Sequence, residues 1–225
     1  QLQQNRIMNL KDYQHKELHS VLDIHSFCSL SYSGPHIGFN LNTSEKIFTK
    51  RVYVEKGIVR RRSIRDFSSI NIDEMDVSKL ISLCLMRDNE NRSNLVSAGN
   101  IQGLRLMSIC SKTGKIINDF ELLEEIYQHK DKLRSLVFNQ FSGEYWIFIF
   151  YCSPLNYISK YGVRGYRYML LEAGHLGEIL LKNAQSLGYS VCPIGAFNDC
   201  LAENIVGEYE KRNIVLYMFA VGNNN

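Results

Sequence analysis

The chain has 225 residues, 45% hydrophobic and 22% charged, an ordinary globular composition with enough apolar material for a sizeable core. Its 26 basic and 23 acidic residues are mixed along the sequence and leave a formal charge of +3, so neither a nucleic-acid nor a membrane-surface footprint stands out. The longest apolar run, Tyr145 to Cys152, is too short to cross a bilayer as a helix, and the first residues lack the basic-then-apolar layout of a signal peptide, so a soluble, cytoplasmic protein is expected.

Residues 1 to about 27 are polar, with Ile7, Met8, Leu10, Leu18, Val21, Leu22 and Ile24 at a loosely helical spacing. Ser, Gly, Pro and Asn then punctuate "SYSGPHIGFNLNTSEK", an extended connection. Residues 1–56 therefore read as an N-terminal arm or extension and residues 57–225 as the compact domain. In "VRRRSIRDF", residues 59–67, an extended backbone projects Arg61, Ser63 and Arg65 to one side. Two guanidinium forks flanking a hydroxyl make a phosphate clamp. The charge pattern alone favours the plainer reading, a solvated basic segment.

"NIDEMDVSKLISLCLM" places Asn71 three residues before Glu74, a capping-box spacing, and then Met75, Leu80, Ile81 and Cys84 at helical intervals. "VSAGN", residues 96–100, is a small-residue loop through which backbone N–H groups could approach a flat ligand, or an ordinary turn. "GLRLMSICS" predicts a strand, "DFELLEEIYQHKDKLRSLVF" an amphipathic helix, and "YWIFIFYC" a buried central strand. "YRYMLLEAGHLGEILLKNAQSLG" carries the longest helical pattern and stops at Gly188. "YSVCPIGAFND" reads as a strand opening into a turn. Its main chain around Pro193 and Gly195 could hold a planar ring, although a plain strand-to-helix turn capped by Asn198 or Asp199 is the better reading of those residues alone. A short helix near Cys200 to Val206 and a closing strand "IVLYMFAVG" complete an α+β or α/β chain with helices covering a sheet.

Cys28, Cys84, Cys110, Cys152, Cys192 and Cys200 form no C-x-x-C pair, so zinc and thioredoxin-like chemistries lose their main support and the six read as free thiols. No metal site is expected. The G-x-S-x-G elbow, P-loop, H-E-x-x-H and G-x-G-x-x-G motifs are all absent, and His175 reads as a satisfied core or interface residue. In "SKYGVRGYR", residues 159–167, the tyrosines and arginines could simply rim the long helix and reach solvent. The sharper reading makes Lys160 and Tyr161 a proton-transfer pair, with the lysine pKa lowered by partial desolvation and neighbouring arginines.

Two stretches resemble one family. "RRSIRDF" resembles the R-x-S-x-R/K-x-F opening of the nitroreductase-fold flavoproteins. "KYGVRGYRYMLLEAGHLGEILLKNAQSLGYSVCPIGAFND" resembles the SagB-type dehydrogenases, the azoline dehydrogenases of thiazole/oxazole-modified peptide biosynthesis. The likeness runs from about Arg60 to Gly222. It implies an α+β nitroreductase-like fold, a central, mostly antiparallel sheet covered by helices, with two subunits sharing FMN sites at their interface, as a homodimer or a heterodimer with a related subunit. Arg61, Ser63 and Arg65 match positions that hold the FMN phosphate and ribityl groups. Pro193, Ile194, Gly195 and Ala196 match the turn against the isoalloxazine. Lys160 and Tyr161 match the family's catalytic pair.

The implied reaction removes an α-proton and a hydride from a thiazoline or oxazoline of a precursor peptide, leaving an aromatic thiazole or oxazole and reduced flavin that dioxygen reoxidises. Cyclodehydratase or other synthetase subunits are the implied partners. "VSAGNIQG" stands where the family has "PSGG" and a Leu-Tyr-Pro-like run, leaving Ser97 and Gly99 as the matching flavin contacts. That departure keeps two alternatives open: a flavin-poor structural partner of an azole synthetase, and an NAD(P)H-dependent nitroreductase-like enzyme. The Lys160–Tyr161 pair favours the dehydrogenase.

Overall fold

The computed structural model describes residues 18–23, 25, 62–90, 92–118, 125–126, 130–209 and 213–224. In chain order they form α1 (Glu74–Leu85), β1 (Leu104–Cys110), β2 (Lys115–Asn118), β3 (Glu125–Ile126), α2 (Leu133–Leu136), β4 (Trp146–Cys152), α3 (Leu155–Tyr161), α4 (Gly165–Ser186), β5 (Ser190–Ile194), α5 (Asp199–Tyr209) and β6 (Ile214–Gly222). The six strands make one sheet in the order β3-β2-β1-β4-β6-β5, with every ladder between named strands antiparallel. This is the expected α+β fold, a central antiparallel sheet covered by helices. Among the described residues no helix is long and apolar enough to cross a membrane.

The continuous apolar run of β4 has a direct structural cause. The strand lies between β1 and β6, and all seven of its residues are buried. Trp146, Phe148, Phe150 and Cys152 enter the cluster that contains α1 and α4, while Ile147, Ile149 and Tyr151 enter the opposite cluster with α2 and α5. Both faces of the strand are covered, so no polar alternation remains. On the second face Met107, Ile149, Met218 and Ile194 form one cross-strand row over four strands. Burying each such side chain contributes about 1.5–3 kcal/mol.

Helix α4 runs for 22 residues and buries Met169, Glu172, Ala173, Leu176, Gly177, Leu180, Leu181 and Ala184, a stripe of period 3.6. Gly177 is set by packing: a Cβ there would stand 2.4 Å from the Cζ of Phe219 on β6. After the helix, Gly188 takes φ +87 and ends it as expected. Pro193 lies within β5, which among the described residues pairs only with β6, and an edge strand tolerates the missing N–H.

Two sequence expectations need correction, and a third is met. The N-cap of α1 is Asp73, whose carboxylate accepts from Met75 N–H at 3.0 Å; the Asn71 amide instead donates to Cys110 Sγ at 3.3 Å. One continuous amphipathic helix, expected over "DFELLEEIYQHKDKLRSLVF", is not what its described residues form. Glu125–Ile126 pair with Lys115 and Ile116 of β2, and among the described residues of the stretch Leu133–Leu136 are α-helical, after a 3-10 turn at Lys130–Lys132. The hydrogen-bonding edge of β2 takes Glu125 and Ile126 as a strand in spite of their helical pattern. Helix α5, expected near Cys200 to Val206, extends over Asp199–Tyr209 and is capped by Asn198, whose side chain accepts from Leu201 N–H at 3.1 Å.

Most of the arm 1–56 and the start of the domain, Arg61 included, lie outside the described residues. Residues 18–23 are helical and attach to the domain: Val21 is fully buried, Leu18 and Leu22 pack on the α1–α4 cluster, and His25 bonds the Tyr166 hydroxyl at 3.2 Å and the Glu203 carboxylate at 3.0 Å.

Candidate functional site

Between α1 and β1 the chain passes through a loop with unusual backbone. Gly99 has φ +58, Asn100 +57 and Gln102 +48, three left-handed residues within four positions. Such conformations persist in non-glycine residues only when the surroundings over-determine them. Here the Ser97 hydroxyl accepts from Gln102 N–H at 2.9 Å, the Tyr157 hydroxyl accepts from Gly103 N–H at 3.2 Å, and the carbonyl of Ser97 accepts from Asn100 N–H at 3.2 Å. The Val96 carbonyl accepts from the His175 ring at 3.3 Å. His175 is thus an exposed loop anchor on α4 and not a core residue.

Against this loop α3 ends with Lys160 and Tyr161. Lys160 Nζ donates to the Gly99 carbonyl at 2.9 Å. A Cβ on Gly99 would stand 2.3 Å from Tyr161 Oη and 2.5 Å from Lys160 Nζ, so both catalytic candidates press on a residue without a side chain. Tyr161 meets Tyr168 of α4 edge to face at 4.8 Å between ring centroids, and the Arg164 guanidinium lies 5.8 Å from the Tyr168 ring. Lys160 is exposed, so the described residues do not provide its expected desolvation. Beside the pair, Val163, Arg164, Tyr166, Arg167, Leu170 and Leu171 line an open groove of about 640 Å³.

The buried end of the loop holds residues that motif matching missed. Glu172 on α4 is 1% exposed and accepts from the Ser97 hydroxyl through Oε2. Burial, and then the Glu172 charge, push the Tyr157 phenol far above its ordinary pKa, so it stays a neutral donor at any accessible pH. The sequence signal was present: Glu172 is the single ionisable residue in the buried stripe of α4.

The remaining candidates gather elsewhere. Ser63 and Arg65 are exposed, and Ile64 between them packs on the α2–α5 cluster, as an extended alternation requires. Ser142 N–H donates to the Arg65 carbonyl at 3.0 Å, and two residues earlier the Gln140 side chain donates to the Ala196 carbonyl at 2.7 Å. The 140–142 segment therefore ties the Ser63–Arg65 stretch to the turn at the end of β5. In that turn Ile194 is buried, Pro193 half-buried, and Gly195 and Ala196 exposed. One chain thus presents two separate groups on opposite faces of the sheet: Ser97, Gly99, Lys160 and Tyr161 on the α4 side, and Ser63, Arg65 and the Pro193–Ala196 turn on the α5 side.

The profile of the Nitroreductase family matches residues 58–223. The chain belongs to the nitroreductase family. Family membership marks it as an oxidoreductase-type chain, and solved structures agree on the fold. A chain of the Escherichia coli microcin synthetase McbBCD complex, with truncated pro-MccB17 bound, aligns over 98% of this chain and 99% of its own at 16% identity and a TM-score of 0.73. A protein assigned as a nitroreductase from Anabaena variabilis aligns over 74% of this chain and 37% of its own, at 19% identity and a TM-score of 0.59. Another so assigned, in complex with FMN from Desulfovibrio desulfuricans, aligns over 73% and 81%, at 15% identity and a TM-score of 0.54. A comparison with curated proteins matched none of them.

Proposed function

We propose that this nitroreductase-family chain is an FMN-dependent dehydrogenase that oxidises thiazolines or oxazolines of a precursor peptide to thiazoles or oxazoles. The observation that carries the reading is the placement of Lys160 and Tyr161 on Gly99, a proton-accepting pair braced by a loop of left-handed residues. A solvated rim would need no such bracing.

The residues present fit FMN. Ser63 and Arg65 supply the hydroxyl and guanidinium donors that suit a phosphate, with Arg61 as the second guanidinium. Gly195 has no atom within 4 Å of where a Cβ would stand, so the main chain of the Pro193–Ala196 turn is open to a flat ring. Ser97 and Gly99 belong to the other group, on the opposite face. A cofactor that touches both groups draws on two chains, which favours a homodimer or a pairing with a related subunit. Leu170 and Leu171, 43% and 54% exposed beside the open groove, offer apolar surface to such a neighbour.

When bound, FMN supplies a two-electron acceptor for the hydride that leaves the azoline ring. The chain's own residues manage the proton. Lys160 Nζ or Tyr161 Oη takes the proton from the azoline α-carbon, and the Gly99 carbonyl, 2.9 Å from Nζ, stabilises the ammonium that forms. The structural likeness to a microcin synthetase chain supports companion synthetase subunits and a peptide substrate.

The test is a visible absorption spectrum of the purified protein, with mass identification of what heat releases, followed by incubation with azoline peptides. A flavin spectrum, released FMN and a loss of two hydrogens per azoline support the reading. A colourless protein that refuses added FMN points instead to a flavin-free partner subunit. A flavoprotein that consumes NAD(P)H on nitroaromatics and leaves azolines untouched points to the reductase alternative.

A further inference from the structure

We propose that Glu172 is the positioning residue of the Lys160–Tyr161 pair, acting through the loop that carries Gly99. The inference rests on reading that pair as the catalytic one. A carboxylate in the apolar stripe of α4 loses its hydration, so packing alone would place an apolar side chain there. Glu172 is 1% exposed, between Met169 and Ala173 in the buried stripe. Its Oε1 has no hydrogen-bond partner among the described residues, nor does Oε1 of Gln102 in the loop. A side chain present only for stability would not leave buried acceptors unmatched.

What the carboxylate does hold is specific. It accepts from the Ser97 hydroxyl. With that hydrogen directed at Glu172, the hydroxyl oxygen turns a lone pair towards the loop and receives Gln102 N–H at 2.9 Å. Ser97, which precedes the left-handed segment, is thereby tied to Gln102 at its end, and the Gly99 carbonyl between them is held at 2.9 Å from Lys160 Nζ. Glu172 touches neither Lys160 nor any reacting atom in this scheme. It sets the hydroxyl orientation that sets the loop that sets the lysine.

Glu172→Leu keeps the approximate size of the side chain but removes the acceptor, which frees the Ser97 hydroxyl to turn away from Gln102 N–H. The experiment is trace acetylation of the purified, cofactor-loaded protein with acetic anhydride, mapped by mass spectrometry, with exposed Lys182 as internal reference. Lys160 should label several-fold faster relative to Lys182 in Glu172→Leu than in the wild type. On an azoline peptide, kcat per bound flavin should fall by about 10²-fold with KM unchanged. Ser97→Ala cuts the same path at the next residue and should repeat both effects, which keeps the test decisive if Glu172→Leu does not fold. Wild-type Lys160 labelling in a folded variant overturns the proposal, as does faster labelling with an unchanged kcat. A wild-type protein without azoline oxidation sinks the dehydrogenase reading, while the labelling ratio still decides whether Glu172 positions Lys160.

Discussion

Gly99→Ala tests the candidate site with the smallest possible change. The added methyl would stand 2.3 Å from Tyr161 Oη and 2.5 Å from Lys160 Nζ, both at the ends of side chains that can move away. Relief of the overlap therefore costs little stability, but it displaces the two groups on which the reaction depends. The backbone contribution is separate: a residue with a Cβ at φ +58 costs about 1–2 kcal/mol. For a chain of this length that corresponds to a fall in Tm of roughly 2–8 °C. Displacing a positioned base by about an ångström costs on the order of 10²-fold in rate. Thermal melts, flavin content and kcat on an azoline peptide would be measured for Gly99→Ala beside Gly99→Asn. Asparagine tolerates the left-handed conformation better but carries the same Cβ. The expected pattern is a smaller Tm loss in Gly99→Asn and an equal collapse of kcat per bound flavin in both variants. Wild-type kcat in a folded Gly99→Ala would refute the idea that the pair works in the position it occupies against Gly99.

Lys160→Ala should lower azoline oxidation by about 10²- to 10⁴-fold while leaving flavin bound, because the base lies on the face opposite the phosphate donors; loss of flavin with activity would contradict that separation. Arg65→Ala should weaken FMN binding by about 10- to 100-fold, the worth of one charge-assisted hydrogen bond, measured by fluorescence titration of the apoprotein. Unchanged affinity would move the phosphate site elsewhere. Burial pushes the Cys84 thiol from 9.0 up to about 12, so between those values the folded chain keeps a proton that the unfolded chain has lost. The stability this group contributes is fully present below pH 9 and is lost as pH rises towards 12, and Tm should decline over that window. At pH 8 iodoacetamide should modify exposed Cys200 well before buried Cys84, Cys110, Cys152 and Cys192, and equal labelling of all five would show that these thiols are not held in the core.

Much of the fold was legible because local rules and tertiary packing agreed. The run "YWIFIFYC" has no polar alternation, and it is the strand covered on both faces. The long pattern of α4 and its stop at Gly188 follow from helical periodicity and left-handed capping, which the chain carries in itself. Where a neighbour decided, local reading went astray. Glu125 and Ile126 sit in a helical pattern yet pair with β2, and Asn71 offers a cap but turns to Cys110 while Asp73 takes the role. The motif matches named Lys160, Tyr161 and Gly99 but passed over Glu172, Tyr157 and Gln102, which fit no motif and act through distant contacts.

Spacing and residue type by themselves determined the class of fold and the identity of the chemical groups, since hydrophobic period and side-chain chemistry are properties of short segments. Only the tertiary structure decided which of those groups meet. It brought Gly99 to Lys160 across 61 positions of sequence and Ser97 to Glu172 across 75, and it set Ser63, Arg65 and the Pro193–Ala196 turn on the other face of the sheet. Such meetings depend on how helices and strands stack, and stacking is the joint outcome of burying every apolar face at once. No single segment encodes it.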